Sequence, residues 1–315
     1  MVSRAAIPST SDLVRQSIQG RRYGWGDIAF PAALLLALLL ALLFLATLLV
    51  DVFARAWAAF AGRGFAVVTD SLSLNAETAG LWQSIMGSLV LTAVVAVLAF
   101  PIGIGAAIYL EEYAPDNRFT RFINTNIRNL AGVPSIVYGI LGLTIFVRFV
   151  RAVGAGGGVG GKNLLAGGLT LAALVLPIVI ITAAEALRAV PAAIREAGFG
   201  VGATRWEVIR YHVVPYAAPG ILTGTVLTLA RAFGETAPLL LVGAATGFFS
   251  AGAAGLVDRA TGPYTALPVT IFSWARQPGD EFRALTAAAI VVLLVVLLTA
   301  NAAAIILRNR FERKW

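Results

Sequence analysis

Cysteine is missing altogether, histidine occurs once, at His212, and charged residues make up only 13% of the 315. Without a thiol there is no disulfide framework, no thiolate metal site and no cysteine nucleophile. One histidine does not build a multi-histidine metal site. The charged fraction lies far below the roughly one quarter of a soluble domain, the mean hydropathy is +0.85, and no polar segment is long enough to fold by itself. These absences exclude an ordinary soluble protein and leave an all-α integral membrane protein. The formal net charge of +8 does not point to nucleic acid, because most basic residues fall between hydrophobic runs.

Six such runs are present, at about 28–50, 81–110, 130–149, 169–187, 219–243 and 284–307. At 1.5 Å per residue each reaches across most or all of a bilayer. The first could belong to a signal peptide, but its apolar core exceeds the roughly 7–15 residues of one and no A-x-A-like site clearly closes it. It is read as a retained helix. Segment 1–27 precedes it, 51–79 follows as a loop, and 80–307 forms the five-span core ahead of a tail at 308–315. With six spans, 1–27, 111–129, 188–218 and the tail share one side and hold 15 of the 24 Lys and Arg residues, against 8 on the other. The positive-inside bias puts both termini and 188–218 in the cytoplasm and 51–79 outside.

The fifth run contains Leu-Ala-Arg231-Ala-Phe-Gly-Glu235-Thr236-Ala-Pro238. Charges at that depth are expensive. Four residues apart, Arg231 and Glu235 share a helix face, and Pro238 interrupts the helix just beyond them. One reading is a buried ion pair that fixes packing; the other is a face lining the path of an anion. Buried pairs are often no more stabilising than apolar packing, which favours the path. At the start of the third run, Gly132-Val133-Pro134-Ser135 is either a plain helix start or a set of unpaired N–H groups facing an anion.

Segment 154–168 is glycine-rich, and Gly156 with Gly161-Lys162-Asn163 approximates a P-loop. Asn163 stands where a hydroxyl should hold magnesium, and the setting between two spans is wrong for a nucleotide-binding sheet. It is read as a flexible loop. Segment 188–218 is amphipathic, with two short helices expected at 194–202 and 203–214, hinged at 200–202 and ending before Pro215. Such a unit serves either to dock a partner or to lie on the lipid surface. Phe272 and Trp274, in the connector 244–283, are expected to anchor at the membrane interface.

Glu196-Ala197-Gly198-x-x-x-Gly202, followed by Val214-Pro215, resembles the EAA loop of ABC importer permeases. Gly198 stands for that motif's second alanine and His212 for its usual isoleucine. Gly132-Val133-Pro134-Ser135-Ile136-Val137-Tyr138-Gly139 and Ala230-Arg231-Ala232-Phe233-Gly234-Glu235-Thr236-Ala237-Pro238-Leu239 are similar to the phosphate importer permeases, and the Thr-Ala-Pro-Leu-Leu continuation is closer to the PstA type than to its paralogue PstC. The resemblance covers about 75–310; the first 70 residues add little to it.

That resemblance implies a six-helix, multi-pass protein of the bacterial inner membrane. It would stand beside a PstC-like permease, two copies of a PstB-like ATPase and an external phosphate-binding protein, and would hold no cofactor of its own. Arg231, Glu235, Thr236 and Ser135 would then line the path of inorganic phosphate, while Glu196, Ala197, Gly198, Gly202 and Pro215 would couple to the ATPase. A permease for sulfate or molybdate would share the EAA loop without the Gly-Glu-Thr-Ala-Pro flanks. An ion-coupled secondary transporter has broken helices and buried charges but no need for a docking unit. For a membrane enzyme, the spans offer no paired carboxylates, histidine cluster or nucleophile with its base.

Overall fold

The computed structural model describes residues 25–154, 161–244 and 262–311. Every regular element among them is helical, as required where hydrocarbon leaves backbone groups no partner but their own chain. Two compact units divide between Asp51 and Val52. The helices are α1 (Trp25–Arg63), α2 (Ala66–Thr69), α3 (Trp82–Tyr113), α4 (Arg118–Ala131), α5 (Ser135–Ala152), α6 (Leu164–Arg188), α7 (Ala192–Gly200), α8 (Arg205–Gly234), α9 (Ala237–Val242), α10 (Leu267–Trp274) and α11 (Asp280–Phe311). Six of them, α1, α3, α5, α6, α8 and α11, are long and apolar enough to cross a membrane.

In the first unit, α1 exposes its leucines on every side over 34–48. A helix apolar all round suits lipid as its solvent. The second unit is built around α6, the most buried of the six. Its neighbours approach through residues without bulk. A Cβ at Gly168 would lie 2.6 Å from Val94, and one at Gly103 2.6 Å from Val179. These pairs advance together along α3 and α6, so the two helices run parallel. On another face, Gly220 meets Ala186 and Gly224 meets Thr182, so α8 runs antiparallel to α6. Small residues at such seams allow the close van der Waals packing that drives helix association in lipid.

Of the four apolar clusters among the described residues, three grade along the unit, and the fourth joins α5, α6 and α9. One gathers the end of α1, α2 and the starts of α3 and α11 around α10. A second joins α3, α5, α6, α8 and α9 at mid-depth. The third packs the far ends of α3 and α6 on the start of α8. Near the first, Arg63 donates to the carbonyls of Ala76 and Ala79 at 2.9 and 2.7 Å and to Asp70 at 3.0 Å. Ser84 bonds Thr270 at 2.7 Å, and Ser88 accepts from the Leu267 N–H at 2.8 Å, fastening α10 to α3 without an unsatisfied group. No buried side-chain polar atom among the described residues lacks a partner.

Several boundaries differ from the sequence reading. The first span does not stop at residue 50, nor is 51–63 a loop: α1 continues to Arg63, its alanine-rich end made of strong helix formers with Ala56 and Ala59 buried. The third span opens at Ser135, not 130, because Pro134 disfavours helix at the residue before it; the polar connector 111–129 is instead the end of α3 and most of α4. Trp274 is buried rather than interfacial, and its ring lies 6.4 Å from that of Phe282; Phe272 is exposed, with the Arg276 guanidinium 5.3 Å from its ring centre. Of the glycine-rich stretch, 164–168 begins α6, and Asn163 caps that helix by accepting from the Ala166 N–H at 3.0 Å. Gly156 lies outside the described residues, as do most of 1–27 and the last four residues of the tail.

Candidate functional site

The chain breaks where Arg231 and Glu235 sit. α8 ends at Gly234, Glu235 is extended (φ −73°, ψ 125°), and α9 starts at Ala237. The break therefore precedes Pro238, which occupies the first turn of α9, where its missing N–H costs nothing. The sequence reading placed the interruption of the fifth span at Pro238; it falls three residues earlier, at Glu235. Arg231 and Glu235 still meet, with Nε 3.5 Å from Oε1, at the outer edge of hydrogen-bond range. Glu235 is 16% exposed and Arg231 51%, so this is not a sealed packing pair. Among the described residues, the Arg231 contact runs through Nε alone.

α5 and α9 lie side by side. A Cβ at Gly139 would lie 2.7 Å from the Pro238 Cα, and one at Gly142 would lie 2.8 Å from Val242. These contacts advance in the same direction, so the start of α5, with half-buried Ser135, stands at the same end as Glu235 and Thr236. Tyr138 fixes the preceding corner by donating to the Leu130 carbonyl at 3.0 Å. Val133, Ala232 and Leu239 share one apolar cluster. The fold thus gathers at one level the start of α5 and the α8–α9 break, where Ser135, Arg231, Glu235 and Thr236 sit.

The second group of expected residues lies at the far end. Glu196 and Ala197 are exposed on α7. Gly198 is buried, and a Cβ there would meet Val208 at 2.8 Å, which accounts for glycine where the resembling motif has alanine. Gly202 takes φ +84°, a left-handed conformation open mainly to glycine. Thr204 and Glu207 then form a capping box that starts α8. The expected helix end before Pro215 does not occur: α8 runs on through it. A π turn at Ile209–Val213 widens the ladder where the proline ring would otherwise strike a carbonyl. The segment expected to dock a partner is therefore α7 plus the continuous start of α8. Phe199, Val201 and Trp206 are exposed around it, and His212 is exposed as well.

Sequence reasoning missed Glu111, Glu112 and Tyr113 in the π turn that ends α3. Glu111 accepts from Arg188 Nε at 2.8 Å. Glu112 accepts from Arg195 at 3.3 and 2.6 Å. Tyr113 lies under the Arg205 guanidinium, 5.1 Å from ring centre. The partners stand 77 and 83 residues away in the first two cases, beyond any local spacing rule. Lys162 was the decoy: its stem packs over Gly243, the left-handed residue closing α9.

The family described as "Binding-protein-dependent transport system inner membrane component" matches residues 99–314. A phosphate transport system permease protein PstC of Mesorhizobium japonicum is 32% identical over 258 residues, covering 76% of this chain and 79% of that protein. A phosphate transport system permease protein PstA of Yersinia pestis is 35% identical over 252 residues, with the same two coverages. In fold, 89% of the chain superposes on 96% of a chain of a bacterial alginate ABC transporter, with a TM-score of 0.58 at 16% identity. This multi-pass inner-membrane chain belongs to the family of binding-protein-dependent transport system permeases.

Proposed function

We propose that the chain is the PstA-type permease subunit of an ATP-driven importer of inorganic phosphate. The observation that carries this reading is the Arg231–Glu235 pair at a helix break, in a chain whose relatives include phosphate permeases. PstA-named and PstC-named relatives match it about equally; the Gly-Glu-Thr-Ala-Pro sequence favours the PstA type. Its partners are a PstC-like permease, two PstB-like ATPases and an external phosphate-binding protein, with ATP hydrolysed on the ATPase subunits.

Phosphate is a mono- or dianion at neutral pH, and the guanidinium of Arg231 is always charged and matches its oxygens bidentately. An arginine alone would hold the anion too long. Glu235, loosely paired to it, competes for the same donors, so binding is strong enough for entry and weak enough for release. Ser135 and Thr236 add hydroxyls at that level. Closure of the ATPase dimer moves α7 and the start of α8 through Glu196, Ala197, Gly198, Gly202 and Pro215, and α8 carries Arg231 between the two sides. Both termini are cytoplasmic in this arrangement, from the distribution of basic residues.

Uptake of radiolabelled phosphate and sulfate into vesicles holding the whole complex tests the reading. Phosphate-selective, ATP-dependent uptake that is lost in Arg231→Gln is the expected result. Preference for sulfate would assign another oxyanion, and uptake independent of ATP would assign a secondary transporter.

A further inference from the structure

Three consecutive residues at the end of α3 each hold an arginine from a different element. Successive helical side chains point roughly 100° apart around the axis, so Glu111, Glu112 and Tyr113 reach three ways: to Arg188 at the end of α6, to Arg195 on α7 and to Arg205 at the start of α8. The middle contact is the most enclosed, with Glu112 8% and Arg195 25% exposed. Arg195 also donates to the carbonyls of Leu187 at 3.0 Å, in the last turn of α6, and of Val190 at 2.8 Å, just beyond it. Its guanidinium thereby joins the ends of two spanning helices to α7. Bidentate arginine–carboxylate contacts fix orientation as well as distance. The acceptors belong to a π turn, a helical irregularity frequent at functional sites.

We propose that Glu111, Glu112 and Tyr113 form a clamp that transmits displacement of α7 to α3, making them positioning residues for energy coupling. The proposal rests on the reading of α7 and the start of α8 as the ATPase-docking unit. Besides the clamp, α7 meets the spans through its covalent links, through Gly198 against Val208, and through half-buried Ile194 on the cluster where α3, α6 and α8 pack. Apolar packing also links α3 to α6 and α7, but it is non-directional, whereas the clamp ties the end of α3 to α7 through oriented bonds. Movement of α8 without α3 would open the seam between them before the anion is committed to one side. The clamp therefore governs how much phosphate moves per ATP, while ATP hydrolysis itself belongs to the partner subunits.

The test measures phosphate imported and ATP hydrolysed in the same proteoliposomes, using the full complex with its external binding protein. In Glu112→Gln, Arg195→Gln and Tyr113→Ala, hydrolysis continues and phosphate per ATP falls at least about fivefold, the low end for coupling between two sites. Tyr113→Phe, which keeps the ring under Arg205, retains the wild-type ratio. Glu111→Gln alters a contact less enclosed than that of Glu112, its Arg188 being half exposed, and remains measurable if the more buried variants fail to assemble. An unchanged ratio in every assembled clamp variant overturns the proposal, as does failure of all of them to assemble, which would make the residues purely structural. Glu196→Lys, purified alongside, tests the docking reading separately: a complex that keeps its ATPase and its normal ratio sinks that reading, whereas an unchanged ratio in the clamp variants sinks the clamp alone.

Discussion

Glu112 and Arg195, 83 residues apart, meet at 2.6 Å at the junction of α3 and α7, and the same guanidinium closes two carbonyls at the end of α6. Removing one partner of an enclosed pair strands the other charge. Arg195→Ala should therefore destabilise the protein by about 3 kcal/mol or more. Arg188→Ala, whose guanidinium is half exposed, should cost at most about 1 kcal/mol. Thermal unfolding of the two variants in one detergent checks the order, and equal losses would mean that enclosure does not set the strength of these contacts.

At the α8–α9 break, charge alone is not enough. Arg231→Lys keeps the cation but loses the planar fork that matches phosphate oxygens. Phosphate uptake should fall about tenfold or more, on the scale of one lost charge-assisted contact, with assembly intact. Wild-type uptake by Arg231→Lys would reduce the role of Arg231 to a diffuse positive potential.

Gly139 faces the Pro238 backbone, and backbone cannot step aside as a side-chain tip can. Gly139→Leu should separate α5 from α9, abolishing uptake and lowering the unfolding temperature. Gly105→Leu serves as the control, since nothing lies within 4 Å of a Cβ at that position. Equal effects at both sites would refute close packing as the cause.

Gly202 and Gly200 stand two residues apart with different backbones. Gly202→Ala forces a Cβ into the left-handed region and should cost about 1–2 kcal/mol. Gly200→Ala, where a Cβ meets nothing within 4 Å and the backbone is helical, should be neutral or slightly stabilising. Paired melting curves decide this.

Asn163 tests the P-loop likeness directly. Asn163→Ala removes the α6 cap at about 0.5–2 kcal/mol, and Asn163→Ser should restore most of it because serine caps equally well. If the site instead held nucleotide, Lys162→Ala would abolish binding of an ATP analogue to this isolated chain, a result the packing of Lys162 over Gly243 argues against.

The membrane character, the helical class and the approximate location of all six spans were legible in the sequence, because long apolar runs have few other solutions in lipid. Local punctuation was legible too: the glycines at 200–202 mark a hinge, and Gly132-Val133-Pro134-Ser135 marks the start of α5. These are properties of a residue and its immediate neighbours. Tertiary structure decided the rest. Helix continued past residue 50 and through Pro215 because packing and a π turn absorb what local propensity penalises, and Trp274 went inside because Phe282 and the start of α11 pack against it. The chain broke at Glu235, ahead of Pro238, because α9 has to lie along α5 with Gly139 against its proline. Glu111, Glu112 and Tyr113 look like an ordinary polar helix end until folding brings three arginines from three elements to them. Contacts across that much chain follow from how whole helices pack, and no spacing rule along one helix encodes them.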